Sequence, residues 1–199
     1  HMDSKHPDIA ALVDFHGHLC PGLAIGYRAT LAGLERLGID RAEDEELIAI
    51  VENDSCSVDA AQLLAGTTFG KGNLFFRDYG KQVFTFGRRD EERAVRVALK
   101  ARAFAEGQQQ SAINEKIKTG TATEEDNKLA AGWRQEKLDR LLNDPLEELF
   151  DVREVVIELP PRATIHRSVI CESCGDPVME TRTVKQEGKI ICLSCQDKE

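Results

Sequence analysis

Four of the six cysteines are paired near the C-terminal end as Cys171-x2-Cys174 and Cys192-x2-Cys195, with seventeen residues between the pairs. Each Cys-x-x-Cys is a tight knuckle that aims two thiolates at one point, and two knuckles close a tetrahedron around Zn²⁺. Gly175 follows the first knuckle, where the backbone has to turn sharply. With all four positions supplied by protein, no coordination position is left for substrate, so the expected role is structural. A segment this short holds too little apolar surface to fold unaided, so metal binding is expected to supply much of its folding free energy. Two disulfides, a redox-active dithiol or a rubredoxin-like iron site would use the same sulfurs. The start, His1-Met2-Asp3, reads as a cloning remnant with no secretion signal, which makes zinc the leading expectation.

A second group lies far upstream. His16, His18 and Cys20 alternate at spacing two, and in an extended segment all three side chains project to one face. In a helix, His16 and Cys20 would still share a face while His18 pointed away. Cys20 and Cys56 each stand just before an expected helix, where backbone N–H groups and the dipole favour a thiolate and lower its pKa. Two thiols and two imidazoles are the ingredients of a transition-metal site, or of a nucleophilic thiol assisted by histidine. Taken singly, a cysteine is usually a small buried hydrophobe; the clustering, with only His6 and Cys56 elsewhere in this region once His1 is set aside, favours the functional reading. The candidate metal ligands of the core are therefore His16, His18, Cys20 and Cys56, and the candidate catalytic groups Cys20, Cys56 and His18. Asp59 and Gln62 share a helix face with Cys56 and could support it as a polar outer layer. Lys71 and the backbone of the Gly66–Asn73 loop could accept an anion, although the loop lacks the Gly-x-x-x-x-Gly-Lys-[Ser/Thr] phosphate pattern.

These residues need elements to position them. A short helix is expected from Pro7 or Asp8 to Val13, and another from Pro21 to Leu37, with proline in its first turn and Gly38 as its stop. Leu23, Tyr27, Leu31 and Leu34 give that helix a buried stripe. Glu46–Glu52 reads as a buried strand, Ser57–Ala65 as a helix, and Phe75-Phe76 and Val83–Phe86 as further strands. From Asp90 to Leu142 the composition turns to Ala, Glu, Arg, Lys and Gln, which predicts a long helix over 91–118. Thr121-x-x-Glu124 has capping-box spacing for a second helix, with Leu129, Trp133, Leu138, Leu141 and Leu142 on its apolar face. Together they predict an antiparallel hairpin over about 90–142. Arg153–Leu159 returns to strand character, and Pro160-Pro161 marks a linker. The expected fold is α+β: a mixed α/β core with a helical hairpin over 8–160, then a small four-cysteine ribbon over 161–199.

Composition narrows the function classes. Lys and Arg number 26 against 35 Asp and Glu, a net charge of −9, and from Cys171 to Glu199 there are four basic and six acidic residues. That balance argues against direct binding to duplex DNA or an anionic membrane. No apolar run reaches the roughly 20 residues needed to span a bilayer, so a cytoplasmic location is expected.

His16-Gly17-His18-Leu19-Cys20-Pro21-Gly22, then Asn53-Asp54-Ser55-Cys56 with Asp59, then Gly66-Thr67-Thr68-Phe69-Gly70-Lys71-Gly72-Asn73, resemble the FmdE family of formylmethanofuran dehydrogenase subunits. The tail, with Cys-x-x-Cys-Gly followed by Val178-Met179-Glu180-Thr181-Arg182, resembles a TraR/DksA-type zinc finger. The resemblance implies an α+β core with a helical extension, a homodimer, and a pocket around His16–Cys20 holding zinc or another transition metal. It also implies association with the subunits of a molybdenum or tungsten enzyme. The chain has no multi-cluster cysteine run, so it is expected to be an accessory subunit or small-molecule-binding protein, not the catalytic subunit. The alternative is a regulator whose zinc finger docks on RNA polymerase or another protein.

Overall fold

The computed structural model describes residues 8–197; His1-Met2-Asp3, His6, the alternative helix start Pro7, and Lys198 and Glu199 of the tail lie outside the described residues. The chain divides into two compact units, one ending at Arg162 and one beginning at Ala163.

The first unit opens with α1 (Ile9–His16), whose first turn is capped by the Asp8 carboxylate accepting from the Ala11 N–H at 2.8 Å. The helix runs three residues beyond Val13 and stops at Gly17, whose φ of 102° suits only a residue without a Cβ. His16 is therefore a helix-terminal residue and not part of an extended segment. The next helix, α2 (Pro21–Leu37), has the predicted ends. A fully buried strand, β1 (Leu47–Val51), leads to α3 (Ser57–Ala65). Then come β2 (Leu74–Phe76), parallel to β1, and β3 (Val83–Arg88), antiparallel to it.

The single long helix expected over 91–118 is not formed. Its first part is instead β4 (Arg93–Leu99), paired with β3, followed by a 3₁₀ turn (Ala101–Phe104) and only then α4 (Gln108–Lys118). The reason is burial: Ala94, Val95 and Val97 are fully covered inside the sheet, and that packing outweighs the helix propensity of the surrounding Ala, Glu and Arg. The second hairpin helix, α5 (Glu124–Asn143), carries a capping box, but Thr123 and Asp126 form it, not Thr121 and Glu124. Of its expected apolar face, Leu138 and Leu141 are buried while Leu129 stays 39 % exposed. A short α6 (Leu146–Leu149) precedes β5 (Phe150–Val156), which completes a five-stranded sheet of order β2-β1-β3-β4-β5. Phe84, Phe86, Val95, Val97 and Phe150 from the sheet pack with Ala24, Ala29 and Leu34 of α2 in the main core.

Arg28 ties the end of the helical hairpin to this core. Its Nη1 donates to the carbonyls of Leu141 and Leu142 at 2.9 and 2.6 Å, and its Nη2 to that of Asp144 at 2.8 Å. A guanidinium placed on the carbonyl end of a helix satisfies acceptors that have no partner within the helix and complements the dipole.

The second unit is two small hairpins, β6 (Ser168–Ile170) with β7 (Pro177–Met179) and β8 (Thr183–Gln186) with β9 (Lys189–Cys192), then a single turn, α7 (Leu193–Gln196). Its buried residues are Cys171, Ile191 and Cys192, with Val178 and Val184 packed against them.

Candidate metal centre

Three of the four core candidates converge. His16 at the end of α1, Cys20 at the N-terminus of α2 and Cys56 at the N-terminus of α3 hold their ligating atoms within 4.8 Å of one another. The Cys20 Sγ to His16 Nε2 distance is 4.0 Å. The sharp turn at Gly17 achieves this by bringing the end of one helix back over the start of the next. His18, in the middle of that turn, is exposed and outside the donor group; its ring centroid lies 4.8 Å from that of His16.

His16 is oriented from behind. Its Nδ1 is 2.6 Å from Asp59 Oδ2, and Gln62 Nε2 donates to Asp59 Oδ1 at 3.1 Å. A carboxylate on one ring nitrogen fixes the tautomer, turns the other nitrogen toward the two sulfurs and raises its basicity, the arrangement by which proteins hold metal-ligating histidines. Replacing Asp59 with Ala is expected to cost about 10–100-fold in affinity for a metal bound by these donors, measured by competition against a chromophoric chelator.

The two thiols differ in environment. Cys20 caps α2, its Sγ accepting from the Leu23 N–H at 3.4 Å. Cys56 has no such hydrogen bond, its backbone being already helical. Burial first, and then the adjacent Cys20 thiol, push the Cys56 thiol up, against the lowering expected from its place before a helix. A cation at this point would reverse that balance by neutralising both sulfurs.

The loop carrying Cys56 is held by a polar network. The Asn53 side chain donates to the Lys81 carbonyl at 2.9 Å and accepts from the Ser55 N–H at 3.0 Å, while Ser57 Oγ donates to Gln82 at 2.8 Å. Close approach of α2 and α3 completes the site. A Cβ at Gly22 would stand 3.2 Å from Cys56 Cβ, and one at Gly26 only 2.1 Å from the Ser57 carbonyl oxygen. These glycines, four apart on one helix face, are packing positions that let α3 approach α2, a role that pattern reading of the His/Cys motif does not assign to them. Their spacing just after Pro21 was the signal available. Lys71 Nζ donates to the carbonyls of Ala42 and Glu43, both at 3.3 Å, and its loop is pinned by the buried Asn73 side chain, which donates to Leu47 and accepts from Thr68.

In the second unit Cys171, Cys174, Cys192 and Cys195 also lie within 4.8 Å of one another, with the Cys171–Cys195 and Cys174–Cys192 sulfur pairs each 4.0 Å apart. Tetrahedral zinc with Zn–S bonds of about 2.3 Å needs sulfurs about 3.8 Å apart, so the cage fits the ion. Amide hydrogen bonds from Cys174 and Cys192 hold the Cys171 thiol down at about 6. Cys174, against a lowering hydrogen bond from the Asp176 amide, is pushed up to about 12 chiefly by the neighbouring thiols. Thiols so crowded cannot all shed protons unless a cation compensates them.

Comparison with known proteins agrees with both units. Residues 15–151 match the family described as "FmdE, Molybdenum formylmethanofuran dehydrogenase operon", and residues 167–199 match the "Prokaryotic dksA/traR C4-type zinc finger". The chain belongs to the FmdE family and carries a C-terminal four-cysteine zinc finger, whose zinc is structural. A protein of Archaeoglobus fulgidus named "Probable S-adenosyl-L-methionine-binding protein" is 33 % identical over 189 residues, which are 92 % of this chain and 50 % of that protein. The chain thus spans about half the length of this curated relative. A crystal structure described as that of a "tungsten formylmethanofuran dehydrogenase subunit e (fmde)-like protein" from Syntrophus aciditrophicus shares the fold, with a TM-score of 0.65 at 24 % identity over 96 % of this chain and 91 % of that one. Among the described residues, no helix is long and apolar enough to cross a membrane.

Proposed function

We propose that the core of this FmdE-family protein is a metal-dependent small-molecule-binding site, with His16, Cys20 and Cys56 as ligands. The observation that carries the reading is the convergence of these three donors from three different helices, with His16 backed by Asp59. Three protein ligands leave a tetrahedral ion one open position, as sites that act on substrates do and closed structural sites do not. Such an ion would supply a Lewis-acidic position for water or a ligand atom. Cys20 and Cys56 would hold it, and His18, exposed at the rim, would exchange protons with solvent. Zinc or another transition metal suits a sulfur–imidazole set. The family description, which names a molybdenum enzyme, and the name of the structural neighbour, which gives a tungsten one, support association with molybdenum or tungsten enzyme subunits. The name of the archaeal relative makes S-adenosylmethionine a ligand for this chain to be tested against. A homodimer and a cytoplasmic location complete the proposal.

Metal analysis of the purified full chain tests it. About two metal ions per chain are expected, falling to about one in Cys56→Ser with the finger intact. A single ion per chain, unchanged by Cys56→Ser, would overturn the core site.

A second reading rests on the zinc finger, where Ile170 and Met179 are 59 % and 42 % exposed on paired strands. A protein partner retained through the finger and indifferent to Cys56→Ser would favour a docking role on RNA polymerase or another protein.

A further inference from the structure

A cleft of about 310 Å³, with Asp59 but not His16 in its lining, opens between α3 and the edge strand β2. It is large enough for a small organic ligand. Leu74 contributes to its apolar surface, while Phe69 and Phe76 line it at 89 % and 52 % exposure. Large aromatic side chains held this far into water beside a concave surface offer stacking surface for a planar ring.

The charged side chains of the lining are of one sign. Asp54 and Asp59 bring carboxylates, and Gln62 Nε2 donates to Asp59 Oδ1 at 3.1 Å. Asn53, also in the lining, spends its amide nitrogen on the Lys81 carbonyl. No lysine, arginine or histidine lines the cleft, and Lys71 is turned onto main-chain carbonyls. The cleft carries negative charge and no positive charge, so a ligand with net negative charge would enter it uncompensated. A cation would find there the carboxylates of Asp54 and Asp59 and the exposed rings of Phe69 and Phe76.

We infer that this cleft binds a small organic cation carrying a planar aromatic ring, with the ring against Phe69 and Phe76 and the charge facing Asp54 and Asp59. The inference deepens the small-molecule reading given above. Because Asp59 also orients His16, the occupant and a core metal would share one carboxylate, and occupancy of either site would alter affinity at the other by the same factor. The cleft lining contains none of the three metal donors. Ligand binding can therefore be read whether or not the core holds an ion, and failure of the metal reading would leave this inference standing.

The test is calorimetric titration of the full chain with S-adenosylmethionine and S-adenosylhomocysteine, which share the ring and differ by one methyl group and one positive charge, and with AMP as an anionic ring. The sulfonium compound is expected to bind about tenfold more tightly than the neutral thioether, the size of one cation–π or cation–carboxylate interaction, and AMP more weakly than either. Asp54→Asn should erase most of the charge preference while leaving the thioether's affinity in place. Phe69→Ala, at a position too exposed to affect folding, should weaken both sulfur ligands. Equal binding of the charged and neutral pair, tighter binding of AMP, no binding at all, or binding untouched by both substitutions would overturn the assignment.

Discussion

Chelation of zinc from the full chain is expected to unfold residues 163–197 while residues 8–162 remain folded. Among the described residues the second unit buries only Cys171, Ile191 and Cys192, and two of those are zinc-finger cysteines. Its hairpins are three and four residues a strand, too short to stand without a core. Binding of structural zinc to small four-ligand modules is worth about 10–16 kcal/mol at neutral pH, so the ion and the fold form together. Amide exchange read by mass spectrometry should show protection lost from β6 to α7 and retained in β1, β3 and β4, with recovery on adding Zn²⁺ but not Mg²⁺, whose chemistry prefers oxygen ligands. Reducing agent alone should change nothing, since the cysteines are free and their sulfurs 4.0 Å apart, well beyond the roughly 2.05 Å of a disulfide. Protection that survives chelation and disappears on reduction would show a disulfide-stapled tail instead.

The second large effect is expected at Gly26. An added methyl group there would overlap the Ser57 backbone, with the carbonyl oxygen at 2.1 Å and the Cα at 2.7 Å. Backbone cannot rotate away as a flexible side chain can, so α2 and α3 must separate. Overpacking of this kind costs about 3 kcal/mol, which for a protein of this size lowers the melting temperature by about 6–12 °C. The separation also carries Cys56 away from Cys20, so Gly26→Ala should lose core metal along with stability. Gly132→Ala is the contrasting case: the glycine lies inside α5 with nothing within 4 Å of a new Cβ. Alanine there should stabilise by about 0.5–1 kcal/mol through helix propensity and a less mobile unfolded chain. A wild-type melting temperature and full metal content in Gly26→Ala would mean that the two helices do not approach this closely.

The parts legible in the sequence are those governed by local chemistry. Pro21 and Gly38 bracket α2, and Ser57 and Gly66 bracket α3, because a missing N–H and a left-handed glycine act within a turn of where they stand. The parts that escaped were decided at a distance. Arg93–Leu99 has a composition suited to helix and becomes a central strand because β3 and β5 lie ready to pair with both its edges. Thr123, not Thr121, caps α5 because its partner Asp126 can reach both the Thr123 N–H and the Lys116 ammonium group.

The candidate site divides along the same line. Residue types and spacing alone determined that the tail would cage a metal, since a Cys-x-x-Cys knuckle aims its sulfurs by local geometry. They also singled out His16, His18, Cys20 and Cys56 as the atoms able to ligate in the core. Which of these meet was settled only in three dimensions: the left-handed turn at Gly17 swings His16 onto Cys20 and leaves His18 outside, and the bare face of α2 at Gly22 and Gly26 admits Cys56 from a loop more than thirty residues away. Short-range covalent and hydrogen-bonding preferences can be read along a chain, whereas the meeting of distant side chains depends on how closely whole helices can pack.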